Sequence, residues 1–450
     1  MMNLFQKVTE RLSPEKNFDV YTRRIKVSFG WIDLVFLSSL IDTQLVLEAV
    51  QSIKKVKNQL ILDQRLNVPQ IQEEKDVDLL LTCFYNGELL IFYKDKAFHA
   101  DCKKLPVRGI DEPYSEKAIR GSRDGFNENL NTNIALIRLR LKSEKLHADL
   151  FTVSEYGKTA VCLVYLEDKA NPEIVRELER RIRNLHIHSL IMTDRSLEEK
   201  LFRQGKIIYP LVRYTERPDV ASIHIMNGKI VILVDTSSSA LITPICLLDH
   251  LKHVEEFRQS PFIGSFTKFL RILSILVSLF LSPTVLALYI DHDFAHFFRL
   301  DTTLRVGDLA FQMLAGTMIL EIFRIAVVHT PTPLVGAISL VSALVLGQVS
   351  IELGIFSNEM LLVVCISAIC GFATPSYELS LSNKLVSLIF LLVVAFFRME
   401  GYLIALIGLF LYLVSIRTFG VPYLYPVCPM DIRKLTGFLF RTSNDDKKNT

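Results

Sequence analysis

Beyond Pro261 the chain enters long runs without charge, and nothing else in it limits the possible folds so strongly. Residues 269–290 are apolar over a length sufficient to span ~30 Å of hydrocarbon, with Arg271 their only charge and Pro283 a point for a kink. Residues 334–356 are charge-free until Glu352 and contain Gly336, Ala337, Ser339, Ser342, Ala343 and Gly347, small enough for close helix approach. Residues 360–377 make a third run. Lipid offers no hydrogen bonds to the backbone, so these runs predict an α-helical polytopic membrane domain over 263–416 with four to six crossings.

Two stretches leave alternatives open. A helix over 385–416 would be ~48 Å long, too long for one untilted span. Arg398, Glu400 and Gly401 divide it, so it is either a hairpin of two short helices or one long helix whose charges face protein. Residues 306–328 are apolar but contain Asp308, Glu321 and Arg324, and either cross within a bundle or lie at the interface. Lys252, Arg258, Lys268 and Arg271 flank the first crossing on its N-terminal side, and Arg417, Arg433, Lys434 and Arg441 follow the last. That bias predicts cytoplasmic termini and an even number of crossings, four or six, with the loop from Asp291 to Asp301 outside.

The N-terminal half is mixed and charged. Its periodicities predict two small α/β modules, 1–102 and 126–262, joined by a Pro-, Gly- and charge-rich linker, 103–125, with a cytoplasmic tail at 417–450. In the first, "RRIKVSF" and "WIDLVFLSSL" read as strands, "QLVLEAVQSIKKV" as a helix, and "VDLLLTCFYNGELLIFY" as a hairpin turning at Asn86-Gly87. In the second, Phe126, Leu130, Ile134, Ile137 and Leu141 share one helical face. Strands "LHADLFTVSEYG" and "KTAVCLVYLED" follow, then a helix over 172–184, a strand near "HSLIM", and a turn at Asn227-Gly228 leading into "KIVILVD".

Several function classes lack their signatures. The start has no apolar stretch long enough for a secretory signal, so the soluble half is expected in the cytoplasm. The seven cysteines are scattered without a C-x-x-C pair and read as reduced core residues. A formal charge of +3 is too small to argue for nucleic acid. Phosphate, dinucleotide, acyl-transfer and zinc-protease motifs do not occur, so no enzyme, cofactor or metal is expected. The run Ser237 to Ser239 is either an anion-cradling turn or an ordinary serine-rich one.

The candidate ion-path residues are the polar groups within the apolar half. Glu321 and Arg324 are three apart on one helical face, and Gln348 and Glu352 four apart on another. Glu378 sits in "ATPSYELS", which is either an interfacial turn or part of a wet path.

Six stretches, "PVRGIDEP", "RGSRDGFNENLNTNIALIRLRL", "YTERPD", "SALITP", "LVSALVLGQVSIELGIFSNE" and "FATPSYELSLSNK", resemble in this order the A-subunits of bacterial spore germinant receptors of the GerA type. "FATPSYELSLSNK" and "PTPL" are most similar to the stage V sporulation AF branch. The receptor subunits read close to E-x-L-R-E-A-G-x-R-L-P where this chain has "EIFRIAVVHTPTP", which keeps Glu321 and Arg324 and loses the second acid. The resemblance implies a protein of the spore inner membrane. It also implies a homo-oligomeric, ion-conducting complex with membrane lipid and other membrane proteins of the germination machinery as partners.

Overall fold

The computed structural model describes residues 3–28, 30–55, 71–104, 116, 121–202, 205, 207–253, 256, 259–289, 306–329 and 332–440. Most of the linker, Arg258, the loop from Asp291 to Asp301 and Arg441 lie outside the described residues. The chain forms two compact units, Met1–Lys206 with Leu211–Ile245, and Ile207–Pro210 with Cys246–Thr450.

The first unit contains one topology twice. Its first half runs α1 (Leu4–Leu12), β1 (Val20–Val27), β2 (Gly30–Leu37), α2 (Thr43–Lys55), β3 (Gln72–Glu74), α3 (Val77–Tyr85), β4 (Leu89–Tyr93) and β5 (Lys96–Ala100). The strands pair antiparallel in the order β1-β2-β4-β5-β3. Its second half runs α4 (Leu130–Arg138), β6 (Leu146–Val153), β7 (Thr159–Leu166), α5 (Pro172–Arg183), α6 (Thr193–Phe202), β8 (Arg213–Thr215), α7 (Pro218–Met226), β9 (Ile230–Val234) and β10 (Ala240–Thr243). The order β6-β7-β9-β10-β8 repeats the first. The starts of β3 and β8, of α3 and α7, and of β4 and β9 all differ by 141 positions.

A buried ion pair joins the two halves. Arg138, at the end of α4, donates through Nε and Nη2 to Asp19 at 2.8 and 2.7 Å, and through Nη2 to Asn17 Oδ1 at 2.9 Å. Asn17 Oδ1 also accepts from the Ala148 amide of β6. Arg138 and Asp19 are both fully buried, which is tolerable only because the two charges satisfy each other.

Three local expectations need correction. Asn86-Gly87 does not turn a hairpin, because residues 77–85 are helical. The Glu88 amide bonds the Cys83 carbonyl and the Gly87 amide that of Phe84, the Schellman pattern of a helix end, with Gly87 at φ 88°. An Asn-Gly pair serves either structure, and the apolar run before it has the length of both. The helix expected from Phe126 starts only at Leu130, because Asn129 caps it by accepting from the Thr132 amide; Phe126 is buried in the segment before it. No strand forms near "HSLIM", where Leu190 is buried but His188, Ile191 and Met192 face outwards.

The second unit is helical, with α8 (Pro261–Tyr289), α9 (Val306–His329), α10 (Thr332–Leu344), α11 (Asn358–Gly371), α12 (Tyr377–Ser415) and α13 (Ile432–Leu439). Residues 261–289, 307–327 and 377–415 are long and apolar enough to cross a membrane. The run expected over 360–377 is divided: α11 ends at Gly371, and Ser376 begins α12 by accepting from the Leu379 amide. Leu286 and Tyr289 from the end of α8 cluster with Leu309 and Met313 from the start of α9, Met360 from the start of α11, and Val394. Those ends therefore lie together, and α8 and α9 run in opposite directions.

α12 is folded. Arg398 breaks it with φ 55° and ψ −142°. Tyr209 donates to Asn383 Oδ1 at 3.2 Å, while the neighbouring Ile208 amide donates to the Tyr412 hydroxyl at 2.9 Å. A straight helix would hold Asn383 and Tyr412 about 43 Å apart. The hairpin alternative is the one adopted, with arms 377–397 of ~31 Å and 399–415 of ~25 Å.

Candidate functional site

Glu321 and Arg324 lie in the C-terminal half of α9, one turn apart, and pair at 2.8 Å. The first turns of α12 complete the cluster. Lys384 Nζ lies 4.0 Å from Glu321 Oε1, and the Arg324 guanidinium stands over the Tyr377 ring at 5.3 Å from its centroid. Tyr377 and Lys384 are seven residues apart and so share a helical face. Lys384 is a site residue that the sequence alone does not single out, because its partner lies on another helix. One carboxylate here faces two cations.

Gln348 and Glu352 form a separate site. Between α10 and a last turn at Ser350–Glu352 the helix widens into a π segment, Val345–Val349, that contains Gln348. Gln348 Nε2 donates to Glu352 Oε1 at 3.1 Å, and both side chains are exposed. Leu340, Val341, Leu344, Val345 and Val349 on the same stretch are exposed as well. At Gly336 and Gly347 an added methyl group would meet nothing of this chain. The other side of the segment is partly packed: Ser339, Ser342 and Gly347 line an apolar cavity of about 300 Å³ against α9 and α11.

Glu378 joins neither group. It lies in the first turn of α12 and accepts from the Ser376 hydroxyl at 3.0 Å, next to the connection that "ATPS" makes from α11. A basic cluster stands at the start of α8. Buried Glu256 pairs with Arg271 and lies 3.5 Å from Lys268, whose Nζ also donates to the Phe438 carbonyl of α13 at 2.7 Å. Burial holds the Glu256 carboxyl above its ordinary range, against the pull of Arg271 and Lys268. The serine turn between β9 and β10 uses its groups locally, the Ser239 amide donating to Ser237 Oγ.

Comparison with known proteins places this architecture. The chain is 34% identical to stage V sporulation protein AF of Bacillus subtilis, over 97% of its own length and 92% of that protein's. It is 29% identical to spore germination protein KA of the same species, over 94% and 81%. Among solved structures it aligns with the N-terminal domain of the A subunit of the Bacillus megaterium spore germinant receptor GerK3, at 22% identity and a TM-score of 0.39, covering 53% of this chain and 92% of that one. The model of the Bacillus/Clostridium GerA spore germination protein family matches residues 6–450, and the chain belongs to that family.

Proposed function

We propose that the protein is a membrane subunit of a spore germination complex, and that a ring of its copies conducts cations released early in germination. The observation that carries this reading is the exposed Gln348–Glu352 pair on an outward apolar face. A carboxylate so placed needs water, a cation or a donor from another chain. Repeated around an axis, it becomes the acidic ring that draws cations into a pore. Gly336, open to the outside, suits a neighbouring helix, and a π segment is a frequent companion of function.

In this reading the bundle crosses the spore inner membrane six times, α12 contributing two short crossings, and both termini are cytoplasmic. Glu321, Arg324 and Lys384 hold α9 to α12 and do not line the cation path, because an excess of positive charge repels the permeating ion. Other membrane proteins of the germination machinery and membrane lipid complete the assembly.

Cation flux into liposomes containing the purified protein tests the proposal. Glu352→Ala should lower flux with membrane insertion intact, and Glu352→Lys should lower it further. Absence of flux from well-inserted wild-type protein would favour a non-conducting scaffold, and saturable uptake of a solute would favour a transporter. Normal flux through Glu352→Lys removes the acidic ring.

A further inference from the structure

Three potential metal ligands of different chemistry converge at the first sheet of the first unit. Cys83 lies in the last turn of α3, Glu88 immediately before β4, and His99 on β5. Their ligand atoms all lie within 4.8 Å of one another. His99 Nδ1 is 2.6 Å from Glu88 Oε2, and the two side chains are only 15% and 13% exposed. Lys103 Nζ stands 3.2 Å from the other Glu88 oxygen and 3.5 Å from Asp101.

The backbone fixes this meeting. The helix-ending bond from the Glu88 amide to the Cys83 carbonyl folds Glu88 back over Cys83. Antiparallel pairing of Leu90 with His99 then brings the imidazole alongside. Gly87 is required at the bend, since an added Cβ would lie 2.9 Å from the Leu40 carbonyl at a positive φ.

The second repeat is an internal control. In the second repeat, which shares the helix end, the Asn-Gly bend and the strand pairing, His224 and Lys229 stand 141 residues beyond Cys83 and Glu88, and Ile242, which pairs with Val231 as His99 pairs with Leu90, takes the place of His99. That set cannot chelate a cation. The fold therefore does not demand a ligand trio at this place, and the first repeat carries one.

We propose that Cys83, Glu88 and His99 bind one divalent transition metal ion, zinc by the chemistry of the donor set. A thiolate, an imidazole and a carboxylate suit zinc better than they suit magnesium or calcium. Tetrahedral zinc with bonds of about 2.0 to 2.3 Å needs donor atoms roughly 3.3 to 3.7 Å apart, which small rotations about the three side chains supply. A water fills the fourth position. Zinc entry displaces the Lys103 ammonium from Glu88, and Lys103 is exposed enough to swing into solvent. The thiol, held up to about 11 by burial and by Glu88, releases its proton to the solvent as the zinc–sulfur bond forms.

The test is titration of the full-length, untagged protein in detergent with cobalt(II), which reports thiolate ligation by a near-ultraviolet sulfur-to-metal band. One ion per chain and that band are expected, with at least ~10-fold weaker binding in His99→Ala and loss of the band in Cys83→Ser. Lys103→Ala, which removes a competitor and no ligand, should bind more tightly. Zinc should raise the unfolding midpoint of the wild type and leave that of Cys83→Ser unchanged. Absence of the band in folded wild-type protein, or equal affinity in the wild type and His99→Ala, overturns the site; channel flux is not part of either readout.

Discussion

Phe390 and Tyr402 pack edge to face with ring centroids 6.1 Å apart, although twelve residues of continuous helix would hold them about 18 Å apart. The bend at Arg398 makes the contact, and Gly401 lets the arms close: a Cβ there would lie 2.6 Å from Phe397 Cβ and 2.9 Å from the Val393 carbonyl. Gly401→Leu should therefore cost about 1 to 3 kcal/mol by overpacking. A lower thermal midpoint of the detergent-solubilised variant is the expected result, and an unchanged one would mean the arms are further apart than described.

Neutralising Glu321 leaves Arg324 and Lys384 facing each other without their carboxylate. Loss of one partner from a buried ionic group costs about 3 to 5 kcal/mol. Glu321→Gln should reduce the amount of protein in the membrane, and Glu321→Gln combined with Lys384→Met should recover part of it. Quantitative immunoblotting of membrane fractions reads both, and no recovery in the double variant removes the coupling.

Arg138→Met strands Asp19 in a fully buried place, so it should destabilise the N-terminal unit by about 3 to 5 kcal/mol. Replacing both groups, Arg138→Met with Asp19→Leu, should be milder than the single change. Urea unfolding of the three proteins decides, and additive losses would show that the pair is not coupled.

His147 is fully buried, and desolvation lowers its pKa below the ordinary 6.5 against a smaller raising pull from Glu167. Above the ordinary value neither the folded nor the unfolded imidazole is charged, and the stability is complete. As pH falls below it, the unfolded chain takes up the proton first and stability declines until the folded pKa is passed. His147→Gln should flatten this slope between about pH 7 and pH 5. Thermal midpoints across that range, compared with the wild type, provide the check.

What could be read from the sequence follows from how local each signal is. The apolar runs and most strands of the first unit were legible, because composition and period act within one segment. Asn86-Gly87 is ambiguous in the sequence because a type I′ hairpin turn and a helix-ending bend ask for the same two residues. The fold of α12 is not legible in the sequence because Arg398 and Glu400 suit a solvent-facing bend and a protein-facing helix alike, and Tyr209, which contacts Asn383, is far away in the chain. Lys384 is illegible for the same reason: its partner Glu321 lies on another helix. The Cys83 trio contains no spaced motif at all, since its ligands come from three separate elements.

The strand order shared by β1 to β5 and β6 to β10, with the 141-residue offset from β3, α3 and β4 to β8, α7 and β9, is what tandem duplication of an ancestral segment leaves behind. Both descendants kept the Asn-Gly bend, with Gly87 and Gly228 each pressed against a carbonyl of the neighbouring chain path. Around that bend the side chains diverged, to Cys83, Glu88 and His99 in one copy and His224, Lys229 and Ile242 in the other. The bend that folds the chain is thus common to both copies while the chemistry beside it differs, so side chains there can change in one copy without disturbing the fold of either.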